Sequence, residues 1–148
     1  MNYATNPKAT FDYDIQETLE AGIVLTGGEV KSVKKGHVSL KGSYAKVLSG
    51  EAWLVGATIS AYQPNNMSKD YDPMRSRKLL LRASELAYIT GKAQEQGYTM
   101  VPIRLYSRKN KVKLEIGLGR GKKKYDKRAT IAKRDTDRDI RRAIKKRI

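Results

Sequence analysis

The chain has 148 residues, enough for one domain with its own hydrophobic core and an additional segment. Its 31 Lys and Arg against 15 Asp and Glu give a net charge of +16, which predicts an anionic partner, either nucleic acid or an anionic membrane surface. The absence of cysteine excludes disulfides and Cys-ligated zinc or iron–sulfur sites, and no apolar run approaches the roughly 18 residues that cross a bilayer.

The N-terminal part predicts a mobile start followed by two strands. Residues 1–10 are polar, contain the turn signal Asn6-Pro7 and lack the apolar segment of a signal peptide. Residues 11–15 alternate apolar and acidic side chains, which is typical of a half-buried strand, and the apolar residues 23–25 predict a second one. Without cysteine or a signal peptide, the chain is expected in the reducing cytoplasm.

A short helix is predicted over residues 27–35. Thr26 and Glu29 have the spacing of a capping box, in which each side chain satisfies an unpaired amide of the first helical turn. Val30 and Val33 form the apolar face of this helix. The basic side chains that point away from that face are Lys31, Lys34 and Lys35.

A hairpin and a third strand region follow. Residues 38–48 and 51–59 flank Ser49-Gly50, a dipeptide that favours a tight turn between antiparallel strands. Three leucines then stand among basic residues, and we interpret this run as a strand rather than a helix. Leu80 points inward or outward according to the register of that strand. The leucines are Leu79, Leu80 and Leu81, and the basic residues are Arg75, Arg77, Lys78 and Arg82.

A helix and a long hairpin complete the body. Ser84 is suited to cap the helix and Gly97 to end it. Two alternating runs then predict an antiparallel hairpin with one buried face, and Pro102 indicates an edge or a bulge in its first strand. The residues of the buried face are Val101, Ile103, Leu105, Val112, Leu114, Ile116 and Leu118.

These elements predict a mainly β fold, a small antiparallel barrel of the OB type with two or three short helices and a basic C-terminal tail. We expect a flexible N-terminus over residues 1–10, a barrel body over residues 11–119 and an arm over residues 120–148 that is disordered when free. We expect the chain to be a monomer.

The arm carries most of the positive charge, with fourteen Lys and Arg against four Asp, or +10 of the +16. Residues 120–128 contain six basic side chains around Tyr125, and RNA-binding segments use this combination of charge and a stacking surface. A solvated tail without a defined partner is the alternative. Residues 136–148 predict a marginal helix that folds on contact with RNA. A membrane-surface helix is the competing interpretation, but it usually carries Trp, Phe or Leu on its apolar face.

Three glycines at positions 117, 119 and 121 separate the body from the arm. They are neither a P-loop nor a dinucleotide fingerprint, because they end a strand and no Gly-Lys-Ser/Thr follows. They provide either a flexible joint or a close approach of the backbone to a sugar-phosphate chain. We favour the second interpretation because three lysines follow directly, Lys122, Lys123 and Lys124.

The sequence offers no catalytic or metal-binding constellation. His37 is the only histidine and is expected to be a plain surface residue. Glu17, Glu20 and Glu29 are clustered carboxylates, and a pair of carboxylates can hold a metal in nucleases. The capping box explains Glu29 better. We therefore predict no enzyme activity, no cofactor and no metal.

A set of motifs over about residues 6–144 resembles the SmpB family, the tmRNA-binding small protein B of bacterial trans-translation. The joint occurrence of these motifs in order is highly specific, although each one alone is weak. Phe11 departs from the family, which commonly has His there, and an aromatic residue is missing near Thr136. The motifs are Tyr13 with Ile15, Glu20-Ala21-Gly22, Gly28-Glu29-Val30-Lys31-Ser32, Ser43-Tyr44-Ala45, Gly50-Glu51, Arg75 with Arg77-Lys78-Leu79-Leu80-Leu81, Val101-Pro102 with Tyr106, and Gly121-Lys122-Lys123 with Asp126-Lys127-Arg128.

The resemblance implies an OB-like body that binds the tRNA-like domain of tmRNA and delivers it to stalled ribosomes. It implies a tail that enters the empty mRNA channel and becomes helical near the decoding centre of the small-subunit rRNA. It also implies that the protein is not an enzyme. A general OB-type RNA-binding or ribosomal protein is the alternative. A metal-dependent nuclease requires a carboxylate or histidine cluster that the sequence lacks.

The resemblance assigns roles to individual positions. Contact with tmRNA falls on Asn6, Glu20, Leu80, Gly121, Lys122 and Lys123. Support or phosphate contact falls on Glu29, Lys31 and Lys34, to which we add the basic patch Arg75, Arg77 and Lys78. Ribosome contact falls on the tail motif Asp126, Lys127 and Arg128, which we extend to Lys133, Arg134, Arg138, Ile140, Arg141 and Ile144.

Overall fold

The computed structural model describes residues 2–62, 70–95 and 97–122. Within these ranges the chain forms nine strands and three helices. In chain order they are β1 (Asn2–Thr5), α1 (Pro7–Asp12), β2 (Tyr13–Ile23), α2 (Gly27–Lys34), β3 (Val38–Ser39), β4 (Tyr44–Leu48), β5 (Glu51–Val55), β6 (Thr58–Ile59), β7 (Arg77–Leu80), α3 (Ala83–Gln94), β8 (Tyr98–Arg108) and β9 (Lys111–Gly121).

Seven strands form one antiparallel sheet in the order β1-β8-β9-β2-β7-β5-β4, and β3 pairs with β6 in a separate two-stranded sheet. The large sheet curls until its edge strand β4 lies beside β8, with a groove between the two strands. This confirms the predicted mainly β, antiparallel fold with few helices. No helix within the described residues has the length and hydropathy to cross a membrane.

The core lies inside the curled sheet and under α3. On β9 the core side chains come from alternate positions, as the sequence predicted. On β8 the prediction is wrong for Val101 and Ile103: Met100, paired with Leu118, enters the core instead, and the bulge after Pro102 brings Leu105 back to the same side. Burial of each large apolar side chain of this core stabilises the fold by about 1.5–3 kcal/mol. The core members with 0% exposure are Ala21, Leu54, Ile89, Leu105, Leu114 and Ile116.

The prediction of a flexible segment over residues 1–10 is wrong for the part that the structure describes. β1 pairs with β8, and α1 begins at Pro7, whose missing N–H costs nothing in the first helical turn. The backbone N–H of Asn6 donates to the Ile103 carbonyl at 2.8 Å, and its Nδ2 donates to the Pro102 carbonyl at 2.9 Å. These long-range bonds, which no local pattern reveals, hold the segment on the sheet at the bulge in β8 that Pro102 predicted.

β2 is one strand of 11 residues, where the sequence predicted two separate strands. Its pairing with β9 shifts register between Ile15 and Glu17, so that Gln16 is an extra residue in β2. Such a bulge reverses the alternation of buried and exposed side chains along a strand. The apolar pattern is therefore interrupted although the strand is continuous. The strand also starts later than predicted, because residues 11 and 12 end α1.

The remaining elements agree with the sequence in part. The predicted strands 38–48 and 51–59 are each interrupted, at residues 40–43 and 56–57, where Gly42 and Gly56 have positive φ, and the outer pieces β3 and β6 pair apart from the large sheet. Thr26 and Glu29 form the predicted capping box of α2, with N–H···O distances of 3.2 and 3.0 Å. Ser49-Gly50 turns β4 into β5, and both residues have positive φ, as tight hairpin turns require. α3 begins at Ala83, one residue before the predicted cap at Ser84.

The sequence analysis favoured a close approach of the glycine backbone to a sugar-phosphate chain. This interpretation is wrong for Gly117 and Gly119, because both are buried. A Cβ on Gly117 would lie 2.9 Å from Ile103 Cδ1 and 3.0 Å from Ile15 Cδ1. A Cβ on Gly119 would overlap the carbonyl oxygen of Asp14. Neighbouring strands need these glycines for close packing. The exposed Gly121 has open space around its Cα, and β9 reaches it, two residues beyond the predicted end of the body.

Candidate nucleic-acid interface

One surface of the large sheet, the outer face, combines basic side chains with an exposed leucine. Cross-strand pairing puts Tyr106, Lys113, Gly22 and Leu80 in one row across β8, β9, β2 and β7. Directly paired residues project to the same side of a sheet. The side chains of the outer face are Glu20, Lys78, Leu80, Arg104, Tyr106, Arg108, Lys111, Lys113 and Glu115.

Leu80 is 53% exposed, while its neighbour Leu79 is 3% exposed and belongs to the core. The register of β7 therefore settles the alternative that the sequence left open. Leu80 lies between two grooves of about 490 and 340 Å³. Their basic lining residues are Arg82, Arg108, Lys111 and Lys113. An apolar side chain between cations suits an unstacked base with its phosphates on either side.

Glu20 is the acidic group at the edge of the larger groove. Its carboxylate accepts hydrogen bonds from the Tyr106 hydroxyl and from Arg108 Nη1 at 3.2 Å. The bond from Tyr106, opposed by burial and aided by Arg108, lowers the pKa of Glu20. Burial and the bond to Glu20 raise the pKa of Tyr106 to about 12. At neutral pH Glu20 is therefore a fixed, ionised acceptor, which suits the amino groups of bases.

Glu29, to which the resemblance assigned support or phosphate contact, and Arg77 of the predicted basic patch lie inside the protein with side chains that are 0% accessible. Arg77 donates to Glu29 Oε2 from Nε at 3.0 Å and from Nη2 at 2.7 Å, and Arg75 donates to both carboxylate oxygens. Burial raises the pKa of Glu29, but the bonds from Arg75, Thr26 and Arg77 outweigh it and lower the pKa to about 2.

This buried cluster joins α2 to the segments before β7. Arg77 also donates to the carbonyls of Ala57 at 2.8 Å and Pro73 at 2.9 Å, and the Tyr71 hydroxyl donates to the Ile59 carbonyl at 2.7 Å. Of the two roles that the sequence left open for Glu29, phosphate contact is therefore excluded and structural support remains; phosphate contact by Arg77 is likewise excluded, since the two charges neutralise each other in the interior. The structure leaves Arg75 at 34% side-chain exposure, with its guanidinium committed to Glu29.

The other predicted RNA-contacting residues lie in two further places. Lys31 and Lys34 are exposed on α2, where Lys31 and Lys35 lie 5.5 and 4.9 Å from the centre of the Tyr62 ring. Asn6 is 9% exposed and is held at the bulge of β8, whereas the other end of α1 reaches the end of β9, where the Lys122 N–H donates to the Asp12 carbonyl at 2.8 Å. The residues outside the described ranges are Lys123, Asp126, Lys127, Arg128, Lys133, Arg134, Arg138, Ile140, Arg141 and Ile144.

The structure thus brings Glu20, Lys78 and Leu80 together on one face, and it adds residues that the sequence analysis did not select. Lys111 and Lys113 alternate with the buried residues of β9, so the sequence alone could predict that they point outward. That they lie near Leu80 could not be predicted without knowing the order of the strands in the sheet. The other additions are Arg82, Arg108 and Tyr106. Within the described ranges no group of His, Cys, Asp and Glu could hold a metal ion, and His37 is exposed.

Comparisons with known proteins give one consistent result. The family model described as "SmpB protein" matches residues 3–146. The "SsrA-binding protein" of Roseiflexus sp. (strain RS-1) is 51% identical over 144 residues, which cover 97% of this chain and 91% of that protein. The "SsrA-binding protein" of Chloroflexus aggregans (strain MD-66 / DSM 9485) is 49% identical over 145 residues, covering 98% and 92%.

A solved structure described as "tmRNA-SmpB: a journey to the center of the bacterial ribosome" has the same fold. The two chains superpose with a TM-score of 0.65 at 42% sequence identity, over 81% of this chain and 84% of that one. A family model that spans nearly the whole sequence, close relatives of nearly equal length and a shared fold lead to one conclusion. The chain belongs to the SmpB protein family.

Proposed function

We propose that this chain binds tmRNA, also called SsrA RNA, and acts as its adaptor on stalled bacterial ribosomes. The names of its relatives and the ribosomal complex of its structural neighbour support this role. The observation that carries it is the outer face, where Leu80 stands exposed between basic grooves beside the fixed carboxylate of Glu20. We propose a monomeric binding protein of the cytoplasm, without catalysis of its own.

We assign the two tasks of the adaptor to different parts of the chain. The outer face recognises the tRNA-like domain through shape and unstacked bases. The arm beyond Lys122, residues 123–148, contacts the small-subunit rRNA near the decoding centre, for which its twelve Lys and Arg against four Asp, a net charge of +8, are suited. A basic arm alone would bind any RNA with a steep dependence on salt, so selectivity has to come from the body.

Truncation after Lys124 tests this division. Binding of the full chain and of the truncated chain to the tRNA-like domain is measured over a salt series, with bulk tRNA as competitor, together with peptide tagging on stalled ribosomes. We expect the truncated chain to keep selective binding and to lose tagging. Loss of selective binding on truncation would move recognition to the arm. Equal binding of bulk tRNA by the full chain would favour a general RNA-binding protein.

Leu80→Ala is expected to weaken binding to the tRNA-like domain about five- to tenfold, because it removes apolar area worth about 1 kcal/mol from the contact. Its effect on the free energy of unfolding is expected to be small, since the side chain is 53% exposed. Leu48→Ala, at a leucine of 57% exposure on β4, is the matched control and should leave affinity unchanged. Equal affinities of the two variants in a filter-binding assay at moderate salt would contradict the assignment.

A further inference from the structure

Backbone pairing and side-chain contacts hold the end of β9, where the arm leaves the body, on the neighbouring elements. Beyond Lys122, residues 123–148 contain twelve Lys and Arg and four Asp, so half of the net charge of the chain lies past this point. The backbone of β9 is paired on both sides up to Arg120 and on the β2 side at Gly121. Arg120 pairs with Tyr98 and with Asp14, Gly121 pairs with Tyr13, and the Lys122 N–H bonds to Asp12.

At the same end of β9, the side chain of Tyr98 contacts side chains from three neighbouring elements. The guanidinium of Arg120 lies 4.6 Å from the centre of the Tyr98 ring, and Lys92 Nζ of α3 lies 5.1 Å from it. The Tyr98 hydroxyl donates to Oε1 of Gln16 at 2.6 Å. One half-buried ring therefore connects β9, α3 and β2. Cation–π contacts of this kind weaken when the ring is lost and survive when only the hydroxyl is lost.

The bulge in β2 serves this arrangement. Gln16 is the extra residue of the bulge, and the next residue, Glu17, accepts a hydrogen bond from the Tyr88 hydroxyl of α3 at 2.7 Å. Bulges commonly re-aim side chains that would otherwise follow the alternation of the strand. Here the re-aimed side chains meet both tyrosines and tie α3 to the end of the β2–β9 ladder.

We propose that Tyr98 is a positioning residue that fixes the direction in which the arm leaves the body. Fixing the last residues of β9 fixes the direction in which the chain continues past Lys122, and this raises the effective concentration of the arm at one target site. Tyr98 acts through Arg120 and contacts no RNA itself. The proposal rests on the proposed function in one respect, since the arm must act at a different site from the outer face.

The test uses the full chain with Tyr98→Leu, which removes the ring without changing the charge, and Tyr98→Phe, which keeps the ring. We expect Tyr98→Leu to lower the rate of peptide tagging at limiting protein about fivefold, with affinity for tmRNA within about twofold of the original chain. Tyr98→Phe should retain tagging. Tyr44→Leu, at an exposed tyrosine of β4, is the matched control for loss of a surface ring.

A physical readout separates positioning from general instability. Because the chain has no cysteine, labels can be placed at Lys41→Cys and Lys122→Cys, and the distance distribution between them can be measured by double electron–electron resonance. Tyr98→Leu should broaden this distribution, and so should Arg120→Gln, which keeps the test valid if the leucine variant does not fold. Lys109→Gln controls for the lost charge of Arg120→Gln.

Three results would overturn the proposal. The first is a parallel loss of tmRNA affinity and tagging in Tyr98→Leu, because the ring would then be an RNA contact. The second is unchanged tagging in Tyr98→Leu, and the third is an unchanged distance distribution in the variants. Failure of the original chain to bind tmRNA selectively is a different outcome, which refutes the proposed function itself and is seen before any variant is made.

Discussion

Gly119→Ala is expected to destabilise the body by about 4 kcal/mol, a large part of the roughly 5–15 kcal/mol by which a domain of ordinary stability is folded. The new methyl group would overlap the Asp14 carbonyl oxygen and lie 2.8 Å from its carbon and 3.0 Å from Ile15 Cα. These are backbone atoms of a paired strand, so no rotamer change can relieve the overlap. β2 and β9 would have to separate at their paired backbones.

The neighbouring glycines provide a graded control. Gly117→Ala meets the side-chain ends of Ile103 and Ile15, which can shift, so we expect a loss of about 1–3 kcal/mol. Gly121→Ala, on the same strand with open space around it, should change the free energy of unfolding by about 0.5 kcal/mol or less. Urea unfolding followed by circular dichroism measures all three. Equal stability of the variants at positions 119 and 121 would contradict the packing argument.

Glu29→Gln is expected to cost about 3–5 kcal/mol at pH 7, because it leaves the charge of Arg77 buried without its partner. Glu51→Gln breaks the exposed pair with Lys78, whose side chains are 42% and 45% accessible, and should cost about 1 kcal/mol or less. Both substitutions remove one carboxylate from an ion pair, but only the pair of Glu29 is buried. The difference between the two losses in the free energy of unfolding therefore measures the effect of burial.

Glu29 should also make the free energy of unfolding depend on pH. Its folded pKa of about 2 lies below the ordinary value of 4.5, so the unfolded chain takes up the proton first as the pH falls. The stabilisation by Glu29 is therefore complete above about pH 4.5 and is lost as the pH falls toward 2. The gap in stability between the original chain and Glu29→Gln should narrow over that window in urea unfolding series. A gap of constant size from pH 7 to pH 3 would contradict the assignment.

The parts that the sequence predicted well depend on local patterns. The core side chains of β9 follow a strict alternation, and the capping box of α2 depends on two residues three positions apart. Both signals are complete within a short stretch of chain. The start of the chain was mispredicted because Asn6 gains its partners 96 and 97 residues away.

Long-range contacts also limited the prediction of the site. Glu29 satisfies the helix start and at the same time neutralises Arg75 and Arg77, which lie 46 and 48 residues further along the chain. Sequence spacing reveals the first role and conceals the second. In the same way, the direction of Leu80 depends on its pairing with Gly22, which only the sheet order supplies.

The strand order has a consequence for how this protein forms during synthesis. β1 and β2 are made first, yet their partners over most of their length are β8 and β9, which are made almost a hundred residues later. Folds dominated by such distant pairings form slowly. A nascent chain that stops before the β8–β9 hairpin therefore leaves β1 and most of β2 unpaired and cannot close its core. Completion of the body is coupled to nearly complete translation of its own message.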